Sequence, residues 1–388
     1  MAPPQKLRVG IIGAGEVAQV IHLPTLALLS HLYTVTTICD LSPTLAAHCA
    51  AKFHIPTTAP HPASVWTSPA VDVVFVLAAD ECHAAHCVAA LAAGKRVFVE
   101  KPLTLSVEGA GRVVEADRMA GGGRTFVGYM RRYAPSFVGA FKREVVAGVG
   151  EVLYARVRDF SGPNGAFVGG SGTFPVKAAE GEGVAAGRAA GEERKALLEG
   201  LVEEAFPGKG VVVADQAGRD ERYDLCRFLG SLGSHDLSLM REVLGSPERV
   251  DGVSANHPFY SAIFAYRNKE ELGGRPFAVT YESGIDGVPE FDAHLAVYGR
   301  NKRVEIRYDS PYVKGLPIKV RTVGVNEHGE VETKEVLSSY EDAYTAELKE
   351  MHRCFTEGAP IKTTPEDAME DLKLFDMIYK KYDESVKR

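Results

Sequence analysis

Cysteines are few in this sequence and long hydrophobic runs are absent, and both features restrict the class of protein it can encode. The 388 residues include six cysteines with no C-x-x-C pair, which favours a reducing, cytoplasmic compartment. The longest stretch without a charged residue, 17–39, is interrupted by Gln19, His22 and Pro24, so it predicts a helix, a loop and a strand rather than a membrane span. The first residues lack the apolar core of a secretory signal, so we expect no signal peptide.

An excess of positive charge is also missing. The formal net charge is -7 at pH 7 and the pI is about 6.0, which gives no general attraction for nucleic acid or an anionic membrane. Hydrophobic residues make up 45% of the chain and charged residues 24%, as in ordinary globular proteins. At this length we expect two domains.

Short apolar runs alternate with helical patterns in the first part of the chain. Residues 7–15, 71–79 and 95–101 are typical of strands buried on both faces, and 84–94 has apolar residues at helical spacing. This alternation predicts an α/β fold with a doubly wound parallel sheet of Rossmann type, which forms a first domain, 1–128.

The pattern changes beyond residue 150. Turn-separated apolar runs predict an α+β domain with a large, mainly antiparallel open sheet and flanking helices; the runs are 150–160, 250–259, 276–285, 291–310 and 317–325. Helical spacing returns over 340–382. We predict a second domain, 129–388, for substrate binding and oligomerisation, whose C-terminal helices could pack back on the first domain.

One segment, 178–210, differs in composition from both domains. It is rich in Ala, Gly, Glu, Lys and Arg, and a short amphipathic helix within it is marked by Leu197, Leu198, Leu201 and Val202. This composition is typical of a solvated excursion. A lid or a subunit contact is the alternative, and the sequence leaves both open.

A dinucleotide-binding fingerprint, G-x-G-x-x-A, follows the first predicted strand and opens a helix. Gly13 makes the tight turn, Gly15 lets a pyrophosphate approach the backbone, and Ala18 allows close packing of the helix on the strand. Glu16 and Val17 lie in the same loop and are expected to contact the cofactor.

Asp40 ends the second predicted strand, 22 residues after Ala18. A carboxylate there can accept hydrogen bonds from both ribose hydroxyls and would repel a 2′-phosphate. Leu41 follows it, where an arginine could have bound that phosphate. We therefore expect NAD as the cofactor rather than NADP. The alternative is that Asp40 only caps a helix or closes a turn.

Lys101 stands between Glu100 and Pro102 at the end of the apolar run 95–101. On spacing alone, a lysine that extends past the strand end to water explains this position as well as a catalytic lysine does. Further motifs are needed to decide between the two.

Together with "IIGAGEVA", "ECHAAHCVAALAAGKRVFVEKPL" and the terminal helices, the "VFVEKP" stretch resembles the Gfo/Idh/MocA family of oxidoreductases. The likeness is weakest over 165–228. It implies that Lys101 lies beside the nicotinamide and the reacting hydroxyl, with Glu100 as its neighbour and a cis peptide bond before Pro102. The chemistry agrees, because a cation near the carbinol oxygen stabilises the alkoxide that develops as hydride leaves.

The resemblance also implies an acid/base histidine, His235, whose neutral imidazole near pH 7 suits that task. Many relatives carry aspartates four residues before it and three residues after it; here these places hold Ser231 and Ser238. Adjacent helical residues point apart, so Asp236 is not expected to orient His235. Asp236 either holds substrate hydroxyls or joins Ser234 in capping the helix.

The stretch "VGYMRRYAPSF" is placed near the substrate by the same resemblance. Tyr129, Arg131 and Tyr133 occupy alternate positions and would share one face if the chain were extended. All three are expected to bind substrate, with Arg131 pairing a carboxylate or hydroxyls.

Residues 77–83 are expected near the nicotinamide ribose. In the resemblance, Ala78 and Asp80 lie against the cofactor and His83 begins the next helix beside it, although two alanines replace the Thr-Pro of relatives. The overlapping "CHAAHC" pattern suggests zinc. Its two Cys-His pairs point in different directions from one helix, so we expect no metal site.

These observations predict an enzyme, namely an NAD-dependent dehydrogenase or reductase that acts on a CH–OH group of a sugar, polyol or related small molecule. Two alternatives stay open. Some relatives keep NAD bound and oxidise transiently, to hydrolyse a glycoside or invert a centre, and a ligand-sensing regulator can share the fold. The presence of Lys101 and His235 argues against the regulator, which needs neither.

The C-terminal sheet is expected to join subunits. Along 291–298 neither alternating face is cleanly polar, since His294 and Ala296 face away from Leu295 and Val297, so both faces should be at least partly covered. We predict a homodimer or homotetramer joined through this sheet. Light scattering at micromolar concentration should give at least twice the 41.8 kDa chain mass, and a strict monomer would contradict the prediction.

Overall fold

The computed structural model describes residues 4–178, 184–211 and 220–386, with the side chains of 184–190 excepted. Residues 179–183 of the predicted excursion therefore lie outside the described residues. By its internal contacts the chain divides into two units. Unit 1 is Met1–Tyr129, Ser171–Gly218 and Glu347–Met369, and unit 2 is Met130–Gly170, Arg219–Ala346 and Glu370–Arg388. The division differs from the single predicted boundary because two later segments return to unit 1.

The secondary structure alternates first and then becomes strand-rich, as the sequence predicts. The strands are β1 (Leu7–Ile12), β2 (Tyr33–Cys39), β3 (Thr57–Ala59), β4 (Val73–Val76), β5 (Arg96–Glu100), β6 (Thr125–Gly128), β7 (Val152–Ser161), β8 (Arg249–Asn256), β9 (Phe259–Arg267), β10 (Pro276–Ile285), β11 (Phe291–Gly299), β12 (Lys302–Tyr308), β13 (Lys319–Val325) and β14 (Val331–Leu337). The α-helices are α1 (Leu23–Leu28), α2 (Pro43–Phe53), α3 (Pro62–Trp66), α4 (His83–Ala92), α5 (Val107–Met119), α6 (Lys142–Val146), α7 (Asn164–Gly170), α8 (Val184–Ala205), α9 (Glu221–Phe228), α10 (Ser234–Leu244), α11 (Ala343–Glu357) and α12 (Pro365–Val386).

Unit 1 contains a parallel sheet with strand order β3-β2-β1-β4-β5-β6. This is the doubly wound arrangement that the alternating pattern predicts. The central strands are buried because helices cover both faces, and the rings of Phe75, Phe98 and Phe126 stack across β4, β5 and β6 at centroid distances of 4.6 and 6.0 Å. Their stacking helps to fix the register of these strands.

Unit 2 contains an eight-stranded sheet with the order β14-β13-β12-β11-β7-β10-β9-β8. β10 pairs with β7 in parallel, and the other described neighbours pair antiparallel. The mainly antiparallel sheet is confirmed. Two of its strands, β9 and β14, were not predicted; most of β14 is exposed and its charged residues hide the strand pattern.

The outer face of this sheet is more polar than the sequence predicts. His294 and Ala296 are buried, and Arg156 donates a hydrogen bond to His294 over a distance of 3.1 Å. Arg158 on the same face pairs with the carboxylates of Glu282 and Asp292. Charged side chains therefore supply cover that the prediction assigned to a second subunit, and the oligomeric state stays a prediction.

The described residues from 171 to 211 belong to unit 1 and make specific contacts there. The Gln19 side chain donates to the carbonyl of Val176 and accepts from its N–H, at 3.0 and 2.9 Å. Lys52 donates to the carbonyl of Thr173, and Arg194 of α8 pairs with Glu81 at 2.8 Å. Within the described part of 178–210, the Arg194–Glu81 ion pair and the buried Leu198, Leu201 and Val202 contradict a purely solvated excursion.

Among the described residues, no helix combines the length and the apolar character needed to cross a bilayer.

Candidate functional site

The turn after β1 has the geometry that the glycine fingerprint requires. Gly13 has φ +103°, and a Cβ there would lie 2.4 Å from the carbonyl oxygen of Leu77, so only glycine fits. A Cβ on Gly15 would meet nothing within 4 Å. Because Gly15 opens onto free space while Gly13 is packed against β4, the loop leaves its outer side available to a ligand.

That free space is a cavity of about 530 Å³ at the carboxyl ends of the parallel strands. Its volume falls in the range of small-molecule and cofactor sites. The residues that line it include Gly13, Gly15, Asp40, Leu41, Ala78 and Ala79. The structure therefore brings together four of the predicted cofactor residues, which are Gly13, Gly15, Asp40 and Ala78.

The remaining fingerprint residues take supporting positions. Ala18 is buried and begins the π-helical turn Ala18–His22, where a larger side chain would push the turn away from β1. Glu16 and Val17 are half-buried in the loop before it. Their predicted contact with the cofactor stays a prediction.

Asp40 connects the glycine loop to the next strand. One carboxylate oxygen accepts from the N–H of Ala14 at 2.7 Å, and the other accepts from the N–H of Ser42 at 2.8 Å. Ser42 itself caps α2, so Asp40 closes a turn and is not the helix cap. Each carboxylate oxygen can accept a second hydrogen bond, so these contacts leave capacity for ribose hydroxyls.

His83 links the two sides of the predicted nicotinamide region. Its Nδ1 lies 2.8 Å from the carbonyl oxygen of Pro102 and its Nε2 lies 3.0 Å from that of Ala78. The ring is buried and fastens the end of β4 to the loop after β5. Asp80 opens a short 3-10 turn, Asp80–Cys82, just before it. For Asp80 and His83, direct contact with the cofactor stays a prediction.

Lys101 follows β5 and its backbone is held from both sides. Its N–H donates to Glu100 Oε2 at 3.0 Å, and the peptide bond to Pro102 is cis, as predicted. Glu100 Oε1 lies 2.7 Å from Nε2 of His22, which is fully buried. Glu100 thus connects the backbone of Lys101 to the buried His22, and the role of the lysine side chain stays a prediction.

Glu347 lies close to this cluster on α11. It is fully buried, and neither carboxyl oxygen has a hydrogen-bond partner among the described residues. Burial raises the pKa of Glu347 well above its ordinary value, and the charge of Glu100 adds to this against the opposing charge of Lys362. We infer that Glu347 keeps its proton more readily than an ordinary glutamate does.

Unit 2 holds Arg131 and Asp236 in a buried ion cluster. The Arg131 guanidinium donates to Asp236 at 2.5 Å and to Asp159 at 2.8 Å, and all three side chains are at most 3% exposed. Burial raises the pKa of Asp236 well above its ordinary value, although Arg131 opposes the shift. One guanidinium faces two carboxyls, so the cluster favours keeping a proton on Asp236.

Two local predictions for this cluster are wrong. Residues Met130–Tyr133 form a 3-10 turn, so Arg131 and Tyr133 do not share a face through strand alternation. Asp236 does not cap α10, because the cap residue is Gly233, without a side-chain bond, and Ser234 donates to the carbonyl of Gly230. The Asp236 carboxyl instead accepts a hydrogen bond from Arg131.

The segment before His235 is closely packed. A π-helical turn, Leu229–Gly233, leads into α10, and a Cβ on Gly233 would lie 2.8 Å from the hydroxyl of Tyr281. His235 is half-buried in the first turn of α10, beside the Arg131 cluster through its neighbour Asp236. Lys101 belongs to unit 1 and His235 to unit 2, and Tyr129 is the last residue of the first segment of unit 1.

Among the described residues, no three His, Cys, Asp or Glu side chains are grouped as metal ligands, at the "CHAAHC" pattern or elsewhere. Burial raises the pKa of Cys82 to about 11, and burial with the charge of His83 lowers the pKa of His86 to about 4. Cys82 is therefore a protonated thiol and His86 a neutral imidazole near pH 7.

Several residues of these clusters were missed by the sequence analysis. His22, Asp159, Glu347 and Arg194 carry no recognisable motif. Asp159 offered one signal, since it lies on the same strand face as Ala155 and Val157, and a carboxylate on a buried face needs a partner.

The fold and the glycine-loop cavity define a Rossmann-type dinucleotide-binding protein. Residues 7–129 match the model of an oxidoreductase family with an NAD-binding Rossmann fold, and residues 216–387 match the model of its C-terminal alpha/beta domain. The two matches cover most of the chain, and the chain belongs to the Gfo/Idh/MocA family of oxidoreductases. The resemblance seen in the sequence is thereby confirmed.

Individual relatives match part of the chain closely or the whole chain distantly. An inositol 2-dehydrogenase of Acidothermus cellulolyticus is 35% identical over 158 residues, which are 40% of this chain and 46% of that protein; the chain thus spans about half the length of this curated relative.

Two solved structures are similar over nearly the whole chain. The 3-ketoreductase KijD10 of Actinomadura kijaniata, in complex with NADP and TDP-benzene, has a TM-score of 0.69 at 16% identity and is covered to 98%, with 97% of this chain. A levoglucosan dehydrogenase, in complex with NADH and levoglucosan, has a TM-score of 0.69 at 15% identity with 98% of both chains covered. At these identities the likeness shows the fold.

The buried carboxyl of Glu347 predicts a pH-dependent stability. The ordinary pKa of this carboxyl is 4.5, so as the pH rises the unfolded chain releases the proton before the folded chain does. The stability of the wild type is therefore lost as the pH rises from about 4.5 towards the raised pKa of the folded state. Glu347→Gln has no ionisable group at this position, so its stability lacks this pH dependence. The free energy of unfolding of Glu347→Gln relative to wild type should therefore increase by about 1 kcal/mol or more between about pH 5 and about pH 8. Urea denaturation at both pH values measures it, and a pH-independent difference would contradict the raised pKa.

Proposed function

We propose that the protein is an NAD-dependent dehydrogenase or reductase that acts on a CH–OH group of a sugar, polyol or related small molecule. Two observations within unit 1 carry the proposal: a cavity at the glycine loop, and a lysine directly after β5 whose backbone N–H is bound by Glu100. The names of the relatives, an inositol dehydrogenase among them, support the substrate class.

Lys101 is proposed as the cation at the reacting oxygen. The bound nicotinamide supplies the hydride acceptor or donor. In the oxidation direction the hydride leaves the carbinol carbon, the hydroxyl proton leaves the oxygen, and Lys101 stabilises the charge that develops there. His235 is proposed as the acid/base group that takes or returns this proton, as the family resemblance implies. Its half-buried position in α10 suits contact with a small molecule.

Arg131 and Asp236 are proposed to act mainly by positioning. Arg131 donates to both Asp159 and Asp236 in a buried cluster, and an arginine so engaged has less freedom to bind a substrate carboxylate. The cluster fixes the first turn of α10 and hence His235. Direct substrate contacts remain proposed for Tyr129 and Tyr133.

We propose that the protein is a homo-oligomer in the cytoplasm and that its substrate is a small hydroxylated molecule. The scarcity of cysteine pairs supports the compartment, and the large open sheet of unit 2 supports association.

The cofactor preference gives one test. Asp40 faces the cavity, and Leu41 beside it is exposed and uncharged. A 2′-phosphate would therefore lie beside a carboxylate, and position 41 offers no cation to offset the repulsion. We expect NADH to bind about tenfold or more tightly than NADPH, measured by titration of nicotinamide fluorescence. A preference for NADPH would show that Asp40 does not contact the ribose.

Lys101 gives a second test. Lys101→Ala should lower kcat by about 10²–10³ and leave NADH binding within a few-fold, because the lysine acts at the reacting oxygen. Lys373→Ala, which removes an exposed lysine paired only with Glu370, serves as the control and should be unchanged. The assay screens polyols and sugar derivatives and records NADH by absorbance at 340 nm. Wild-type turnover by Lys101→Ala would remove its assigned role, and product without free NADH would favour the transient-oxidation alternative.

A further inference from the structure

Helix α8 contributes to the glycine-loop cavity from outside the parts of the chain that the family models match. Those models end at residue 129 and resume at residue 216. Glu193, Arg194 and Leu197 of α8 nevertheless line the same cavity as Gly13 and Gly15. The cavity therefore has a wall that is supplied by a helix outside both matched regions.

This wall is anchored by packing and by an ion pair. Leu198, Leu201 and Val202 of α8 are buried, so the helix packs by an apolar face. Arg194 directs Nε and Nη2 to Oε1 of Glu81, each at 2.8 Å, and Glu81 is itself buried. The guanidinium is thus held at the cavity with a defined orientation.

The segment that leads to α8 is tied to the glycine loop as well. Gln19 bonds both polar atoms of the Val176 peptide and also donates to the carbonyl of Ala14 at 2.8 Å. Ala14 is the residue between the two fingerprint glycines, so the segment before α8 and the loop proposed to receive a pyrophosphate share a hydrogen-bond network.

Arg194 differs in charge from the other residues that line the cavity. Its described lining residues include the carboxylates of Asp40 and Glu193, while Arg194 is the one lysine or arginine among them. His86 is neutral near pH 7 because its pKa is lowered to about 4. A dinucleotide brings two negative phosphates into this space, and a guanidinium has five donors in a fork that matches phosphate oxygens.

We propose that Arg194 is a phosphate-binding residue for the dinucleotide cofactor, supplied by helix α8 and complementing the backbone N–H groups of the glycine loop. The inference rests on the proposed function, because it requires that the cavity receives a dinucleotide. Glu81 acts as a positioning residue that keeps the guanidinium at the cavity before the cofactor enters.

The experiment measures the binding of NADH, ADP-ribose and adenosine to the full chain and its variants, by nicotinamide fluorescence and by competition. Arg194→Ala should weaken NADH and ADP-ribose about tenfold, the value of one charge-assisted hydrogen bond. Adenosine lacks phosphates, so its affinity should stay the same. Lys195→Ala is the matched control, since Lys195 lies on the same helix, pairs with Glu199 and does not line the cavity.

A second variant separates phosphate binding from a structural role. Glu81→Gln breaks the ion pair but keeps the guanidinium. This variant should therefore bind ADP-ribose several-fold more tightly than Arg194→Ala does. If both variants weaken ADP-ribose and adenosine alike, the ion pair only holds α8 and the inference is overturned. Unchanged ADP-ribose binding by Arg194→Ala overturns it too, while the proposed function stands. Failure of wild type to bind any dinucleotide overturns both.

Discussion

Parallel pairing in the sheet of unit 1 is the constraint on which the candidate site depends. Ile12 pairs with Cys39 on one side and with Val76 on the other, and Val76 pairs with Val99. The strands run in the same direction, so they end at the same edge, and the residues that follow them meet there. Gly13, Asp40 and Leu77 follow their strands at this edge, and Glu100 is the last residue of β5. A shift of one strand by a single residue would separate the loop, the carboxylate and the lysine.

Carboxylates that bind backbone N–H groups or an imidazole stabilise the loops at this sheet edge. Glu100 braces the backbone of Lys101 and contacts His22, and Asp40 binds the N–H of Ala14 within the glycine loop. Removing ionised groups from water is costly unless they gain partners. These carboxylates gain backbone N–H groups or an imidazole, and in exchange they fix loops that would otherwise be adaptable. The same logic governs unit 2, where Arg131 stands between Asp159 and Asp236.

Sequence patterns predicted the parts of the molecule that local rules govern. The Rossmann sheet, the antiparallel sheet and the C-terminal helix follow from apolar periodicity, and the turn at Gly13 follows from a backbone that tolerates no side chain. The strand β14 escaped detection because exposed edge strands carry charges that disguise the alternation. The 3-10 turn at Met130–Tyr133 escaped because three alternating polar side chains fit an extended chain equally well.

The sequence by itself determined the fold class, the glycine loop and the candidate lysine, since each rests on residues that are neighbours along the chain. Only the tertiary structure decided the partners of buried charges. Asp159 and Asp236 are far apart in sequence and meet at Arg131, and Arg194 reaches Glu81 across 113 positions. Such pairings depend on which strands and helices pack together. The sequence around a carboxylate does not indicate which cation will pair with it. Their long-range contacts form only when packing excludes water and makes an unpaired charge costly.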